Sequence, residues 1–165
     1  MDTAKSVTDR TTLERITPTE ILITRTFRAP ARIVFDAWTR PELVRRWWAP
    51  ASRGVTLTVC DAQVHAGGTY RYVLRRTPDE EYAFSGKYVE VSPPQRLVYT
   101  QTFEAVPDGA AVITVLFEEK AGHTTVRARE VYPSREALEM AISSGMEDGM
   151  RETYEQLAAL VVSLR

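Results

Sequence analysis

The chain has 165 residues, 44% hydrophobic and 26% charged, the composition of one globular domain large enough to bury a core. Its 21 basic and 22 acidic residues leave a net charge of −1, and the densest basic pairs are only Arg45-Arg46 and Arg75-Arg76, so no nucleic-acid partner is expected. Cys60 is the single cysteine, which excludes an intrachain disulfide or a multi-cysteine zinc site; no apolar run reaches membrane-spanning length and the N-terminus does not read as a signal peptide, so a cytoplasmic protein with no membrane partner is expected.

Met1 to about Glu14 is polar and aperiodic and reads as a tail, so residues 1–15 are assigned to a flexible segment and 16–165 to the domain. Ile21 to Phe27 alternates as a first strand. Pro30 stands where a helix starts, with Ile33, Val34, Ala37 and Trp38 on one face. Thr39 with Glu42 is a capping-box pattern around Pro41, predicting a second short helix that runs into Trp47-Trp48. From Val55 to Tyr132 the period changes to 2. Six strands are read there, broken by Gly67-Gly68, Pro78-Asp79, Ser92-Pro93-Pro94, Pro107-Asp108-Gly109 and Ala121-Gly122, and joined as an antiparallel meander.

Ser134 to Leu164 closes the chain as one predicted helix of about 45 Å with Ser134 as N-cap. Ile142, Met146, Met150, Thr153, Leu157, Leu160 and Leu164 lie within about 40° of one line on the wheel. Gly145 and Gly149 fall inside that helix, where each costs roughly 1 kcal/mol against Ala. They make room either for close packing on the sheet, the reading favoured for Gly145, or for a hollow, the reading favoured for Gly149.

This order predicts an α+β fold: a seven-stranded antiparallel sheet curled around a long C-terminal helix, with two short helices after the first strand. The alternation turns Tyr70, Tyr72, Phe84, Tyr88, Phe117 and Tyr132 inward, the aromatic lining of a small-molecule site.

Three groups of motifs resemble a known family. They are Arg25-Thr-Phe-Arg-Ala-Pro30 with Val34-Phe35-Asp-Ala-Trp38-Thr39 and Trp47-Trp48-Ala-Pro50; Gly67-Gly68-Thr-Tyr70-Arg-Tyr72 with Gly86-Lys-Tyr88-Val-Glu90 and Pro93-Pro94-Gln-Arg96-Leu97; and Gly145-Met146-Glu-Asp-Gly149-Met150 with Tyr154 and Leu157. Together they resemble the family of the activator of the heat-shock-protein-90 ATPase, in the START-like (SRPBCC) superfamily, over about Ile21 to Val161. The resemblance implies the helix-grip (START-like, Bet v 1-like) fold. It leaves function open, because the superfamily includes lipid carriers, hormone receptors, polyketide cyclases and the chaperone activator. The eukaryotic activator carries a further domain that this chain is too short to include, so chaperone activation is the less expected role.

No catalytic constellation, phosphate loop or metal-ligand spacing stands out, so catalytic residues stay unassigned and no metal or cofactor is expected. His123 reads as a turn residue, His65 as a loop residue with a remote claim to general-base work, and Cys60 as a half-buried thiol. Glu130 falls on the inward face of its strand and Glu139 inside the helical stripe. Each is either at the cavity mouth, hydrated or paired with an arginine such as Arg71, or functional, as a polar anchor for a ligand or an acid/base in a cyclase or hydrolase-like reaction. The first expectation is a small-molecule binding protein for an apolar or aromatic ligand, with an internal cavity of several hundred Å3. Its lining is drawn from Trp38 and Trp48, from Tyr70, Tyr72, Phe84, Tyr88, Phe117, Glu130 and Tyr132, and from Ile142, Met146, Gly149, Met150 and Thr153 of the last helix. The alternatives are a cyclase, hydrolase or isomerase acting in that cavity, and an interaction module, chaperone-associated or homodimeric, marked by an apolar patch at Trp47 and Trp48.

Overall fold

A computed structural model describes residues 9–165. Eight antiparallel strands form one sheet: β1 (Thr12–Thr17), β2 (Glu20–Phe27), β3 (Thr56–Ala62), β4 (Thr69–Thr77), β5 (Glu80–Ser92), β6 (Arg96–Phe103), β7 (Ala111–Lys120) and β8 (His123–Val131). Their order is β1-β2-β8-β7-β6-β5-β4-β3, a meander from β3 to β8 closed by the first hairpin. Four helices complete the chain: α1 (Ala31–Thr39), α2 (Pro41–Val44), α3 (Arg135–Ser143) and α4 (Met146–Leu164). This is the helix-grip arrangement, α+β, with eight strands where seven were predicted.

The extra strand, β1, begins inside the segment read as tail and crosses its boundary. Its residues Thr-Leu-Glu-Arg-Ile-Thr are half-buried or exposed at the sheet edge, so no apolar alternation marks it, and it is held by pairing such as Leu13 with Ile23. Asp9 and Thr11, also within the segment read as tail, are buried, and residues 1–8 lie outside the described residues.

Ile21 and Ile23 on β2 face inward with Val126 and Ala128 on β8 and Ile113 and Val115 on β7. Leu157, Leu160 and Val161 of α4 are buried, as is α1 through Ile33, Val34, Phe35 and Ala37. This half of the interior is filled by apolar side chains. Pro30 is the α1 N-cap and offers no side-chain oxygen; Glu119 on β7 supplies one, accepting from the Ala31 amide at 2.8 Å. Phe117, predicted to line a cavity, packs edge-on against Phe35 and Trp38 and belongs to this core.

The capping box predicted at Thr39 is not formed. The Thr39 hydroxyl donates back to the Phe35 carbonyl at 2.9 Å, Arg40 is the N-cap of α2, and that helix lasts only four residues. No helix among the described residues is long and apolar enough to cross a membrane.

Candidate functional site

The other half of the interior is built from rings. Register across the sheet sets Tyr88 opposite Tyr99, Tyr99 opposite Ile113, and Ile113 opposite Glu130. One row of inward positions therefore runs from two phenols to a carboxyl. Tyr70 and Tyr72 on β4 extend the phenol cluster, with ring centroids 4.9 Å apart and Tyr70 5.5 Å from Tyr88 and 5.8 Å from Tyr99. Tyr70 lies across β5 and donates its hydroxyl to the Thr100 carbonyl at 2.7 Å. Gly86 permits this: a Cβ there would stand 2.7 Å from the Tyr70 ring and 1.8 Å from the Thr100 oxygen.

The two adjacent tryptophans divide. Trp47 is buried against Trp38 and Tyr154, with its indole N–H on the Ala37 carbonyl at 2.8 Å. Trp48 is half-buried and stands edge-on to Tyr72 and Phe84 at about 5 Å. Between Trp38, Trp48 and the four tyrosines 70, 72, 88 and 99 there remains a cavity of about 10 Å3, which Leu97 and Gln101 also line. That is room for about one water. The several hundred Å3 expected from the sequence are not present in this conformation, because the inward rings are large enough to meet.

Glu130 is only partly exposed, and its carboxylate accepts from the Tyr132 hydroxyl at 2.9 Å. Burial raises its carboxyl above the ordinary value, and the Tyr132 bond opposes that shift without cancelling it. Burial likewise pushes the phenols of Tyr70, Tyr99, Tyr132 and Tyr154 upward, with the charge of Glu130 adding to the effect at each. Arg71, the suggested partner of Glu130, pairs instead with Glu104 through two bonds of 2.9 and 3.0 Å. Glu139 is corrected too: its side chain is exposed and paired with Arg135 and Arg15.

The single long helix is corrected to two. α3 ends at Ser143 and α4 begins at Met146, with Gly145 between them at φ +86 in the left-handed region. Ser134 caps α3 as predicted, accepting from the Ala137 amide at 3.0 Å. The break rotates α3 away from the stripe of α4. Ile142 is therefore 37% exposed and is not a cavity wall. Met146 and Met150 are half-buried against the core, the Met146 sulfur 4.0 Å from the Tyr132 hydroxyl. Thr153 is buried, its hydroxyl spent on the Met150 carbonyl.

Gly149 faces neither hollow nor sheet. A Cβ there would meet the Arg53 guanidinium at 3.0–3.3 Å, and Arg53 donates to the Gly145 carbonyl at 2.9 Å. Arg53 belongs to the segment after Trp48, which is fastened to α4 throughout. Ser52 donates its amide and hydroxyl to Glu152 at 2.7 and 2.6 Å. Gln156 accepts from the Ala51 amide and donates to the carbonyls of Trp47 and Ala49. The segment bearing Trp48 is thus a flap clipped to the helix by polar contacts.

Of the predicted lining, Trp38, Trp48, Tyr70, Tyr72 and Tyr88 meet at one void, Phe84 stacks on Phe103 beside it, and Glu130 and Tyr132 pair on the same inner face. Tyr99 and Gln101 were missed, although Leu97, Tyr99, Gln101 and Phe103 alternate legibly. Tyr154, buried against Phe27, Trp38 and Trp47, stands about 80° from the centre of the apolar stripe of α4 and so was not read as inward. His65 and His123 are exposed, each ring nitrogen near a neighbouring carbonyl. Cys60 is fully buried rather than half-buried, and burial pushes its thiol up to about 11. Among the described residues no three His, Cys, Asp or Glu side chains gather as a metal would need. A second hollow, about 150 Å3 and open to solvent, lies elsewhere, between β2 and the C-terminal part of α4 at Arg25, Phe27, Ala158 and Val162.

A family model described as Activator of Hsp90 ATPase homolog 1-like protein matches residues 28–162. Among solved structures, a protein from Staphylococcus epidermidis is 32% identical, with a TM-score of 0.77 and 93% of this chain aligned to 95% of that one. A protein from Rhodobacter sphaeroides is 23% identical with a TM-score of 0.86, over 93% of this chain and 99% of that one. One from Arthrobacter aurescens is 22% identical with a TM-score of 0.82, over 92% and 91%. No curated protein matches the sequence.

Proposed function

The chain belongs to the family of Activator of Hsp90 ATPase homolog 1-like proteins, and on that premise we propose that it binds a small apolar or aromatic molecule between the curved sheet and the C-terminal helix. Family and fold are those of ligand-binding or interaction modules. The observation that carries the proposal is the division of the interior. One half is filled by apolar aliphatic and aromatic side chains. The other holds phenols, a carboxyl and Gln101 at inward positions where aliphatic residues would be more stabilising. Polar side chains retained inside a core at such a cost fit a polar or aromatic guest.

The void of about 10 Å3 holds no more than about one water, so the proposal requires the inner face to open for its guest. A guest enters by displacing the Trp48 flap, held by exposed hydrogen bonds, and the flexible thioethers of Met146 and Met150. A second reading, an enzyme acting in the same space, is favoured by one observation: Glu130 and Tyr132 meet at 2.9 Å, two ionisable groups at one point. The interaction module draws no support from the tryptophans, since Trp47 is buried and Trp48 is half-covered.

Native mass spectrometry of the protein purified from its own host tests the reading. Bound mass is expected on the wild type and on Ala158→Trp, which fills the outer hollow, and is expected to be absent from Gln101→Phe, which fills the inner one. Mass retained by folded Gln101→Phe, or none on any form, contradicts it.

A further inference from the structure

The guest's charge follows from the lining. Glu130 is the acidic group of the inner face. Its carboxylate accepts from the Tyr132 hydroxyl, and among the described residues it forms no ion pair with an arginine, lysine or histidine. Tyr132, beyond the end of its own strand, bonds it, and the inward row across β7 leads from it through Ile113 to Tyr99 and Tyr88, at the edge of the void that Tyr70 and Tyr72 also line. Its charge is felt by the phenols of Tyr132, Tyr99, Tyr70 and Tyr154. Around these stand the ring faces of Trp38 and Trp48. Among the described residues the inner face therefore offers aromatic rings and an acid, Glu130, without an ion-pair partner. We infer that this site takes an organic cation, an amine or quaternary ammonium carried on an apolar or aromatic body, with Glu130 as its counter-ion and the tyrosine and tryptophan rings as its cage.

A neutral polar guest would be served by the phenols and Gln101 alone. A cation is the guest that complements the carboxyl in its ionised form, because a buried charge is tolerated when it meets its opposite. Burial favours the protonated carboxyl in the empty protein. A permanently charged ligand favours the ionised form, so its affinity rises with pH through the titration of Glu130. The facing phenols, all pushed upward, stay neutral across that range. This inference rests on the cavity reading above and deepens it.

The test compares phenyltrimethylammonium with its neutral isostere tert-butylbenzene by titration calorimetry at pH 8 and pH 5, on wild type and on Glu130→Gln. Wild type is expected to bind the cation at least about tenfold more tightly than the isostere at pH 8, with the ratio shrinking at pH 5. Glu130→Gln is expected to lose the preference and the pH dependence while binding tert-butylbenzene within about twofold of wild type. If wild type binds both equally, or the neutral compound better, the cation inference is overturned and the cavity stands. If neither compound binds wild type at any accessible concentration, the cavity reading and the inference fall together. If Glu130→Gln keeps the full preference for the cation, the assigned counter-ion is wrong and the inference fails.

Discussion

Gly86 has no substitute in β5. Its missing Cβ is the space through which Tyr70 reaches the Thr100 carbonyl, and a methyl there would stand 1.8 Å from that oxygen. A backbone oxygen cannot yield without moving β6, so Gly86→Ala is expected to lose about 2–3 kcal/mol. Thermal unfolding should show it as a fall in midpoint of roughly 5–10 °C. Gly149 is the contrasting case. Its Cβ would meet only the end of a flexible arginine, and the adjustment sacrifices part of the Arg53–Gly145 bond. The gain in helix propensity, up to about 1 kcal/mol, nearly balances a bond worth about 1 kcal/mol, so Gly149→Ala should change stability by less than about 0.5 kcal/mol. In an Arg53→Ala background the same substitution should stabilise by the full propensity gain. Equal effects in the two backgrounds would show that the residues do not interact. Gly145→Ala, at φ +86, should lose about 1–2 kcal/mol in either background.

At the scale of elements, the flap and the helix break depend on each other. Arg53 ties the flap to the carbonyl at the break, and Glu152 and Gln156 tie it to the first turns of α4. The bonds from the Ser52 hydroxyl and amide hold the Glu152 carboxyl below the usual carboxylate range. A carboxyl lowered in the folded state contributes stability above its unfolded value, near about 4.3, and loses it as pH falls through the folded value. The midpoint of Glu152→Gln should therefore lie below that of wild type at pH 7 and converge with it towards pH 3. A gap that stayed constant with pH would mean that the carboxylate charge plays no part in the clip. The break itself was written in the sequence as Ser143-Ser144-Gly145, two poor helix interiors and a left-handed residue, but the unbroken wheel pattern on either side concealed it. That unbroken pattern turned Ile142 and Glu139 inward. The edge strand β1 was concealed for another reason. Its pairing is backbone hydrogen bonding with little burial, and alternation reports burial.

For the whole molecule, the meander and the inward aromatic set were legible because period 2 forces every second side chain to one face. Volume was not legible, since whether facing rings meet depends on sheet curvature and helix placement, which no local pattern encodes. The central claim, a guest between sheet and helix, concerns that volume, and the methionines report on it. Met146 and Met150 border the inner face, whereas Met140 is 54% exposed on α3. The direct measurement is a methyl spectrum of methionine-labelled protein titrated with N-phenyl-1-naphthylamine. The account predicts saturable shifts of Met146 and Met150 while Met140 holds its position. A shift confined to Met140, or a spectrum that does not move at saturating probe, would contradict it.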